Sequence, residues 1–589
     1  MPGDPYVRFR SLDGSHPLRA ALPEGCVTYP ARRVSDARIA WFNFALAREM
    51  GLIPKGHLDR MDDGLRDAIL DTFAIRIVNE WDVANRTPIP VDAWKTGRYM
   101  ATRYLQLQHP GRQGRTSGDG RSVWIGCIDG PDGAWDVSAC GTGVTALCPA
   151  TAATRRFQRT GGRSVSYGCG TASLQEGFAA AVMSETLHRN GIATERVLAI
   201  LDVGHGFAIN VRAGRNLLRP AHFMTWSKRR DADAVARLAR YHAERSGVAP
   251  ADLADAIASE FARAAATFES EYLFVWLDWD GDNILMDGGI LDYGSVRQFG
   301  LYHRDYRYDD DQRWSTTLPE QWRKARHVVQ NFAQIRDLAT TGRAKPLEAY
   351  RRDRAVRRFE GELADWRLRL LLRRVGFPHD LAEALLARER KKVERFGAAH
   401  RWFEHARSAK GLRRVEDGIT RNAIYSTRDL LRELPRRYLA GESTVPAQEF
   451  LDLAASTYAS RAERVATASR TRRATRFQKT YFDLVQAAAA IARVPARDVL
   501  FEVAARSAII NRWARITGDA AVHVAARLAR MSRRLGPDAT WALLVRFVEE
   551  HVTSPERRTR PAFGSRAPID LKRVFDAMVA DVEHFRYGL

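Results

Sequence analysis

Apolar and polar residues follow three different patterns along the chain. In the first 95 residues, patches of helical spacing predict helices at 37–50 and 63–78. Between about 100 and 215, glycine-rich turns separate short β-like runs, which predict strands at 122–126, 135–137, 197–202 and 208–212. From about 228 onward helical spacing dominates, and breakers such as Gly441 and Pro495 mark helix ends.

One helix is predicted inside the glycine-rich part, at 173–190, with Gly191 as the residue that ends it. Further helices are predicted at 233–246 and 250–268. Together these patterns predict an α+β fold. Its four regions would be an N-terminal mixed or helical extension at 1–95, a β-rich region at 96–227, a helical region at 228–450 and further helices at 451–589.

Apolar runs flank the dipeptide Asp287-Gly288, which is a favoured two-residue turn of a β-hairpin. With that turn Met286 pairs with Gly289, and Asn283 lies opposite Asp292 on the same face, about 5 Å away. An amide oxygen and a carboxylate form a hard oxygen site suited to Mg²⁺ or Mn²⁺. The same pattern occurs in solvated surface hairpins, so a metal site is one of two interpretations.

A protein kinase builds its metal site from the same residue types, an Asn of the catalytic loop and the Asp of an Asp-Phe-Gly segment. Here Asp292-Tyr293-Gly294 stands where that segment would be, which favours ATP chemistry. Asp278 lies five residues before Asn283, the spacing of catalytic Asp and Asn in ordinary kinases. Asp278 is therefore a candidate base for phosphoryl transfer.

The tetrapeptide Gly118-Asp-Gly-Arg121 lies just before the strand predicted at 122–126. Glycines at such a turn let backbone N–H groups approach a phosphate, and an Arg adds a bidentate donor. Because the same residues also form ordinary turns, the tetrapeptide alone leaves phosphate binding open.

Composition narrows the class of protein. The chain has 589 residues and a formal net charge of +22 at pH 7, but much of the excess is Arg mixed with acids at helical spacing. Such mixing is typical of solvated helix faces and disfavours specific nucleic-acid binding, which is kept as an alternative. The lack of a long apolar run, of a visible secretory signal and of a Cys-x-x-Cys pair predicts a cytoplasmic protein without a membrane partner.

The ordered set of motifs resembles the selenoprotein O family, also called the YdiU family. The matching segments are 118–123, 135–137, 183–198, 211–212, 218–219, 281–283 and 291–294. The resemblance implies a bilobal protein-kinase-like fold with a small β-rich lobe, a large helical lobe and extra C-terminal helices. It also implies transfer of AMP from ATP to Ser, Thr or Tyr hydroxyls of protein substrates.

The resemblance assigns roles to single residues. Asp282 matches the catalytic acid, and Asn283 and Asp292 match the metal ligands. The residues that match nucleotide contacts are Gly118, Gly120, Arg121, Arg212 and Arg219. The last two match arginines that hold the phosphates of a flipped ATP, whose α-phosphorus is then exposed to the attacking hydroxyl.

The chain also departs from the family pattern. Cys140 stands where the family has a phosphate-binding Lys, and the partner Glu of that Lys aligns with Ala180. Glu176, four residues earlier on the same helical face, is a candidate substitute for that Glu. A neutral Cys cannot replace the Lys charge, and the candidates to supply it are Arg155, Arg156 and Arg163.

Besides nucleic-acid binding, two alternatives to AMP transfer therefore stay open. The first is a nucleotide-binding pseudokinase scaffold without catalysis, which the loss of the Lys favours. The second is a protein kinase that uses Asp278 as its base.

Overall fold

The structure is a computed structural model, and it describes most of the chain. The described residues are 4–106, 109, 113–162, 170–271, 273–275, 281–293, 296–298, 305–307, 315–408, 423–512, 516, 518–559 and 569–584.

An antiparallel sheet of nine strands is formed by residues between 26 and 214, in the order β2-β8-β9-β6-β5-β4-β1-β3, with β7 paired to β9. The strands are β1 Cys26–Arg33, β2 Arg38–Phe42, β3 Ile75–Ile77, β4 Trp94–Thr102, β5 Ser122–Gly130, β6 Gly133–Cys140, β7 Ala172–Ser173, β8 Arg196–Asp202 and β9 Phe207–Gly214. In the centre of the sheet Ser122 pairs with Cys140, and Cys140 pairs with Asn210. Directly paired residues point to the same face, so these three side chains form a row across three strands.

Short strands and many helices complete the described part of the chain. The short strands are β10 Leu273–Val275, β11 Val296–Gln298, β12 Asp305–Arg307 and β13 Ser315–Thr317. The helices up to the end of the sheet region are α1 Pro17–Ala21, α2 Phe44–Glu49, α3 Asp63–Phe73, α4 Glu80–Ala84, α5 Pro149–Thr154 and α6 Leu174–Arg189. Those that follow are α7 Pro220–Lys228, α8 Ala232–Ser246, α9 Leu253–Glu271, α10 Leu318–Thr341, α11 Arg354–Val375, α12 His379–Arg388, α13 Arg390–Glu404, α14 Thr427–Leu439, α15 Ala447–Ala454, α16 Arg461–Arg464, α17 Ala468–Ala492, α18 Ala496–Ile510, α19 Gly518–Glu550 and α20 Ile569–His584.

The α+β class and the predicted strands are confirmed, but two of the predicted helices are partly wrong. The first half of the helix predicted at 37–50 is strand β2, which pairs with β8. The helix predicted at 63–78 ends at Phe73, and β3 follows it and pairs with β1. Both errors arise because partners that are distant in sequence draw apolar segments into the sheet, which local spacing does not reveal.

Helix α6 begins and ends as predicted. The Ser173 side chain accepts a hydrogen bond from the Glu176 backbone N–H at 2.9 Å, and this cap starts the helix on the residue after Ser173. Gly191 follows the helix with a φ of +77°, a left-handed conformation that glycine adopts without steric cost.

The described apolar side chains form two main cores. The first packs the sheet against α6, α8, α9, α19 and α20, and the second joins the end of α11 to α12, α13, α14, α15, α17 and α18. Helix α19 therefore returns to the sheet after the chain has passed through the second core; Trp541 on α19 lies 5.8 Å from Trp41 on β2, between ring centroids. The domain boundaries drawn from the sequence stay a prediction.

The C-terminal segment holds α6 at both ends. The Gln175 side chain donates to the Val522 carbonyl at 3.1 Å, at the start of α6. At the other end, the Asn190 amide oxygen accepts from the backbone N–H of Thr553 at 2.7 Å and from its hydroxyl at 2.8 Å. The position of α6 thus depends on residues that are more than 300 positions away in sequence.

A buried ion cluster fixes the middle of β6. One Asp136 carboxylate oxygen lies 3.1 Å from His16 Nε2 and accepts from Arg245 at 2.6 Å, while the other accepts from the Leu217 backbone N–H at 2.9 Å. Burial would raise the pKa of Asp136, but His16 and Arg245 outweigh burial and hold that pKa below its ordinary value. The cluster fixes the loop that leads to Arg219.

Across the described ranges, no helix is both long enough and apolar enough to cross a membrane.

Candidate functional site

The predicted hairpin is present, but its register is not the predicted one. Ile284 bridges Ile290, and the Leu291 backbone N–H donates to the Asn283 carbonyl at 3.2 Å. Asn283 therefore lies opposite Leu291 rather than Asp292, and the pairing of Met286 with Gly289 is also wrong.

A longer turn explains the shift. The Leu285 carbonyl accepts from the backbone N–H of Gly288 at 3.0 Å, and Gly288 has a φ of +79°. This is a three-residue hairpin loop, in which a tight turn is followed by a left-handed glycine. Asp287-Gly288 fits both the two-residue and the three-residue loop, so the dipeptide does not determine the register.

A cavity of about 520 Å³ lies between the sheet, α6 and this hairpin. All of the predicted nucleotide contacts and both of the predicted metal ligands line it: Gly118, Gly120, Arg121, Arg212, Arg219, Asn283 and Asp292. The register shift therefore leaves both hairpin side chains at the same cavity. A volume of this size is typical of sites for small molecules.

The two candidate catalytic acids are placed differently. Asp282 does not line the cavity; its side chain is buried, and its backbone carbonyl accepts from Arg219 at 2.6 Å. Asp278 lies outside the described residues, as do Gly294 and Arg163.

The glycine loop before β5 is packed too closely for other residues. A Cβ atom at Gly118 would lie 2.0 Å from the Thr102 carbonyl oxygen, and one at Gly120 would lie 2.9 Å from the Cys148 Cα. The carboxylate of Asp119 is buried and accepts from the Thr102 backbone N–H at 2.9 Å and from the Trp124 indole at 3.0 Å. The loop is thereby fixed against the sheet, with its backbone at the cavity wall.

Arg121, which follows this loop, forms a bidentate ion pair with Glu176 on α6. The two nitrogen–oxygen distances are 2.7 and 3.0 Å. Both residues line the cavity, together with Cys140 and Ala180. The pair links the central sheet to α6 at the place where the departures from the family pattern lie.

Arg212 projects from β9 into the cavity and pairs with Glu195 at 2.8 Å. Burial would lower the pKa of Arg212, but Glu195 more than offsets burial, so the pKa lies above its ordinary value and the guanidinium stays charged. Burial raises the pKa of Glu195, although Arg212 and Arg219 oppose that shift. Both partners are held in place before any ligand binds.

Arg219 stands at the start of α7, where three interactions with Tyr104 and His222 fix its position. Its guanidinium donates to the Tyr104 hydroxyl at 3.1 Å and lies 4.5 Å from the centroid of the Tyr104 ring. Its backbone N–H donates to His222 Nδ1 at 3.0 Å. Burial, with Arg219 nearby, lowers the pKa of His222 to about 4, so this ring is neutral at neutral pH and can accept that bond.

Comparison with known proteins gives several significant relatives, although no protein-family model matches the chain. The protein nucleotidyltransferase YdiU of Shewanella oneidensis is 31% identical over 153 residues, which cover 24% of this chain and 28% of the relative. The protein of the same name from Mycobacterium sp. (strain KMS) is 27% identical over 320 residues, or 52% of this chain and 58% of the relative. Over these stretches the chain is similar to proteins of the YdiU family, as its motifs predict. The chain spans less than two thirds of the length of either relative.

The similarity to YdiU proteins makes the positions that depart from the family pattern informative. Cys140 and Ala180 line the cavity, so the two substitutions face the site rather than the surface. Arg155 and Arg156, two of the three candidates for the missing charge, are not among the residues that line the cavity.

Several cavity residues were not predicted. Asn210 lies on β9 two positions before Arg212, so strand periodicity alone placed it on the same face as a predicted residue. Glu195 lies inside a segment that resembles the YdiU family, but only the pairing of β8 with β9 brings it to Arg212. Tyr293 is fixed by its hydroxyl, which donates to the Glu195 carbonyl at 2.9 Å.

The residues present fit a nucleotide and a metal ion. Asn283 and Asp292 offer the hard oxygen donors that Mg²⁺ and Mn²⁺ prefer. Two buried polar atoms of cavity residues, Asn210 Oδ1 and Arg212 Nε, have no hydrogen-bond partner in the part of the chain that the structure describes. Buried polar atoms are normally paired, so these two are suited to a bound polar ligand.

Proposed function

We propose that this protein is an ATP-dependent nucleotidyltransferase that transfers AMP to Ser, Thr or Tyr hydroxyls of other proteins. The observation that carries the proposal is the convergence of the glycine loop, two largely buried arginines and the hairpin side chains on one cavity. These elements come from distant parts of the sequence, so common ligand chemistry is a better explanation than local structure.

The proposed fold is the bilobal arrangement of a protein kinase. The nine-stranded sheet with α6 would form the small lobe, and α7 to α11 with the hairpin would belong to the large lobe. The cavity then lies where the two lobes meet, which is the usual position of ATP in that fold.

Asn283 and Asp292 would hold Mg²⁺ or Mn²⁺. When bound, such an ion neutralises phosphate charge and orients the phosphate chain. The chain's own contribution is to hold an amide and a carboxylate at the cavity, on the open end of a hairpin that the Tyr293 hydroxyl fixes beside Asp292.

Arg212 and Arg219 would grip the terminal phosphates. Both are largely but not fully buried, positioned by protein partners and charged, so little reorganisation is needed when phosphates bind. The family resemblance supports a flipped ATP, in which the substrate oxygen attacks the α-phosphorus. The bond between the α-phosphorus and the bridging oxygen then breaks, pyrophosphate leaves, and the hydroxyl proton passes to a base, for which Asp282 and Asp278 are the candidates.

Incubation of the protein and extract proteins with ATP labelled at either the α or the γ phosphate tests the proposal. Transfer of AMP predicts protein-bound label from the α position alone. Label from the γ position alone would contradict the proposal and favour a protein kinase that uses Asp278.

The scaffold alternative rests on Cys140, because a cavity without the family's Lys has lost one phosphate contact. ATP binding without label transfer from either position, unchanged by Asp282→Ala, would support the scaffold and contradict AMP transfer.

A further inference from the structure

We propose that Arg121 and Glu176 together replace the Lys–Glu ion pair of kinase-like enzymes, with Arg121 as the phosphate contact and Glu176 as its positioning residue. In protein kinases that pair joins a sheet strand to the helix of the small lobe and must be formed for activity. The inference rests on the proposed nucleotide site, and it concerns the side of the site where the chain departs from its family.

The two positions that would carry an ordinary pair cannot form one. Cys140 and Ala180 both line the cavity, and neither side chain carries a positive or negative charge that could form an ion pair across it. The ion pair that does join the sheet to α6 at this cavity is Arg121 with Glu176, bidentate at 2.7 and 3.0 Å.

Arg121 and Glu176 each lie one position in the fold away from Cys140 and Ala180, where the family carries its Lys and Glu. Glu176 lies four residues before Ala180, one turn along the same face of α6. Arg121 lies directly before β5, the strand beside Cys140: Ser122 pairs with Cys140, and the Gly141 backbone N–H donates to the Arg121 carbonyl at 2.9 Å. The ion pair is thus shifted to the start of the neighbouring strand and by one turn of α6, and it still links the sheet to that helix.

The exposure of the pair argues against a purely structural role. The side chains of Arg121 and Glu176 are 31% and 42% exposed, and ion pairs with this much solvent contact contribute little to folding stability. Bidentate pairing instead fixes the direction of the guanidinium, and a planar guanidinium suits phosphate oxygens better than a flexible ammonium does.

The test measures the affinities of the full chain for ATP and for adenosine, both with Mg²⁺. Arg121→Ala is expected to weaken ATP binding about 10- to 100-fold, as expected for the loss of a charged hydrogen-bond donor, and to leave adenosine binding within about twofold. Glu176→Gln is expected to weaken ATP binding less, because the guanidinium remains but loses its orientation.

The matched control is the bidentate pair of Arg237 with Glu24, whose side chains are 27% and 40% exposed and which does not line the cavity. Glu24→Gln is expected to leave both affinities unchanged. Equal effects of Glu24→Gln and Glu176→Gln on ATP affinity would overturn the inference, as would an equal loss of ATP and adenosine binding in Arg121→Ala.

A transplanted pair gives a second, independent result. In the Arg121→Ala, Glu176→Ala background, Cys140→Lys with Ala180→Glu is expected to restore most of the ATP affinity, because it rebuilds the pair at the family's positions. Lack of rescue in a variant that melts at the wild-type temperature would overturn the inference. Binding is measured without label transfer, so a wild-type protein that binds ATP and transfers no AMP would contradict the proposed function alone.

Discussion

At the scale of single residues, the site is defined by side chains that are held before a ligand arrives. Arg212 is paired with Glu195, and Arg219 is held by Tyr104 and by the backbone of Asp282. Placing charged groups in advance lowers the cost of reorganisation during catalysis. In the proposed function, Asn283 and Asp292 would hold the cation, and the two arginines would hold the phosphates.

Asp292→Asn tests the metal ligand assignment. The change keeps the shape of the side chain but removes its charge, so Mg²⁺-dependent ATP affinity is expected to fall at least about tenfold. Titration with ATP in the presence and absence of Mg²⁺ measures the effect.

Asp287→Asn is the matched control, because Asp287 lies at the tip of the same hairpin and does not line the cavity. If both variants lose the same Mg²⁺-dependent affinity, the hairpin acts through its conformation, and Asp292 is not a metal ligand.

The predicted charged residues line one cavity, whereas some of their neighbours there carried no sequence signal. Arg212, Arg219 and Asp292, which the motifs single out, lie at the same cavity. Short spacings constrain residues near a turn or along one strand, so motifs of this kind can be read from sequence. Glu195 was missed because its partner, Arg212, reaches it only through the pairing of two strands.

At the scale of elements, α6 is the part on which the site depends most. It carries Glu176 at its first turn, and α19 and the segment that follows it fix both of its ends. Helix position controls the equivalent ion pair in protein kinases, so the C-terminal contacts with α6 connect the far end of the chain to the cavity.

Asn190→Ala removes the contact at the end of α6. The Thr553 backbone N–H and hydroxyl both lose their acceptor, and the free energy of unfolding is expected to fall by about 1–3 kcal/mol. Urea denaturation measures this change.

Asn331→Ala serves as the comparison, since the Asn331 amide donates at 2.8 Å to the His327 carbonyl of its own helix. A loss in Asn190→Ala no larger than in Asn331→Ala would show that the contact with Thr553 does not hold α6.

Elements with strong local signals were predicted and those set by distant partners were not. The capping Ser173 and the final Gly191 were enough to place α6. Local spacing predicts helix for the segment that forms β2, because its strand character depends on pairing with β8, which lies 157 to 164 residues further along the chain (Phe42 with Ala199, Arg38 with Asp202). The hairpin register failed for a related reason, since Asp287-Gly288 is compatible with loops of two lengths.

At the scale of the whole molecule, buried histidines make folding sensitive to acid. Burial lowers the pKa of His222, His242 and His551 to about 4 and that of His400 to about 3. An unfolded His binds its proton near pH 6.5, so the unfolded state takes up protons that the folded state excludes. Stability is therefore complete above about pH 6.5 and is lost as the pH falls towards 4.

His400→Phe tests this account, because His400 packs between Phe396 and Phe477 and a phenyl ring suits that environment. Between pH 7 and pH 5 the loss in free energy of unfolding is expected to be smaller than in the wild type by about 2 kcal/mol. Denaturation at the two pH values measures the loss, and His205→Asn, at an exposed turn, is the control. The same loss in His400→Phe as in the wild type would contradict the account.

The central claim, transfer of AMP to protein hydroxyls, is tested most directly by identifying the adduct itself. Extract proteins incubated with the full chain, ATP and Mg²⁺ are digested, and the modified peptides are sequenced by mass spectrometry. The account predicts adenylate on Ser, Thr or Tyr side chains, lost when Arg212 is replaced by Ala. Phosphate on those side chains, or adenylate formation that does not depend on Arg212, would contradict it.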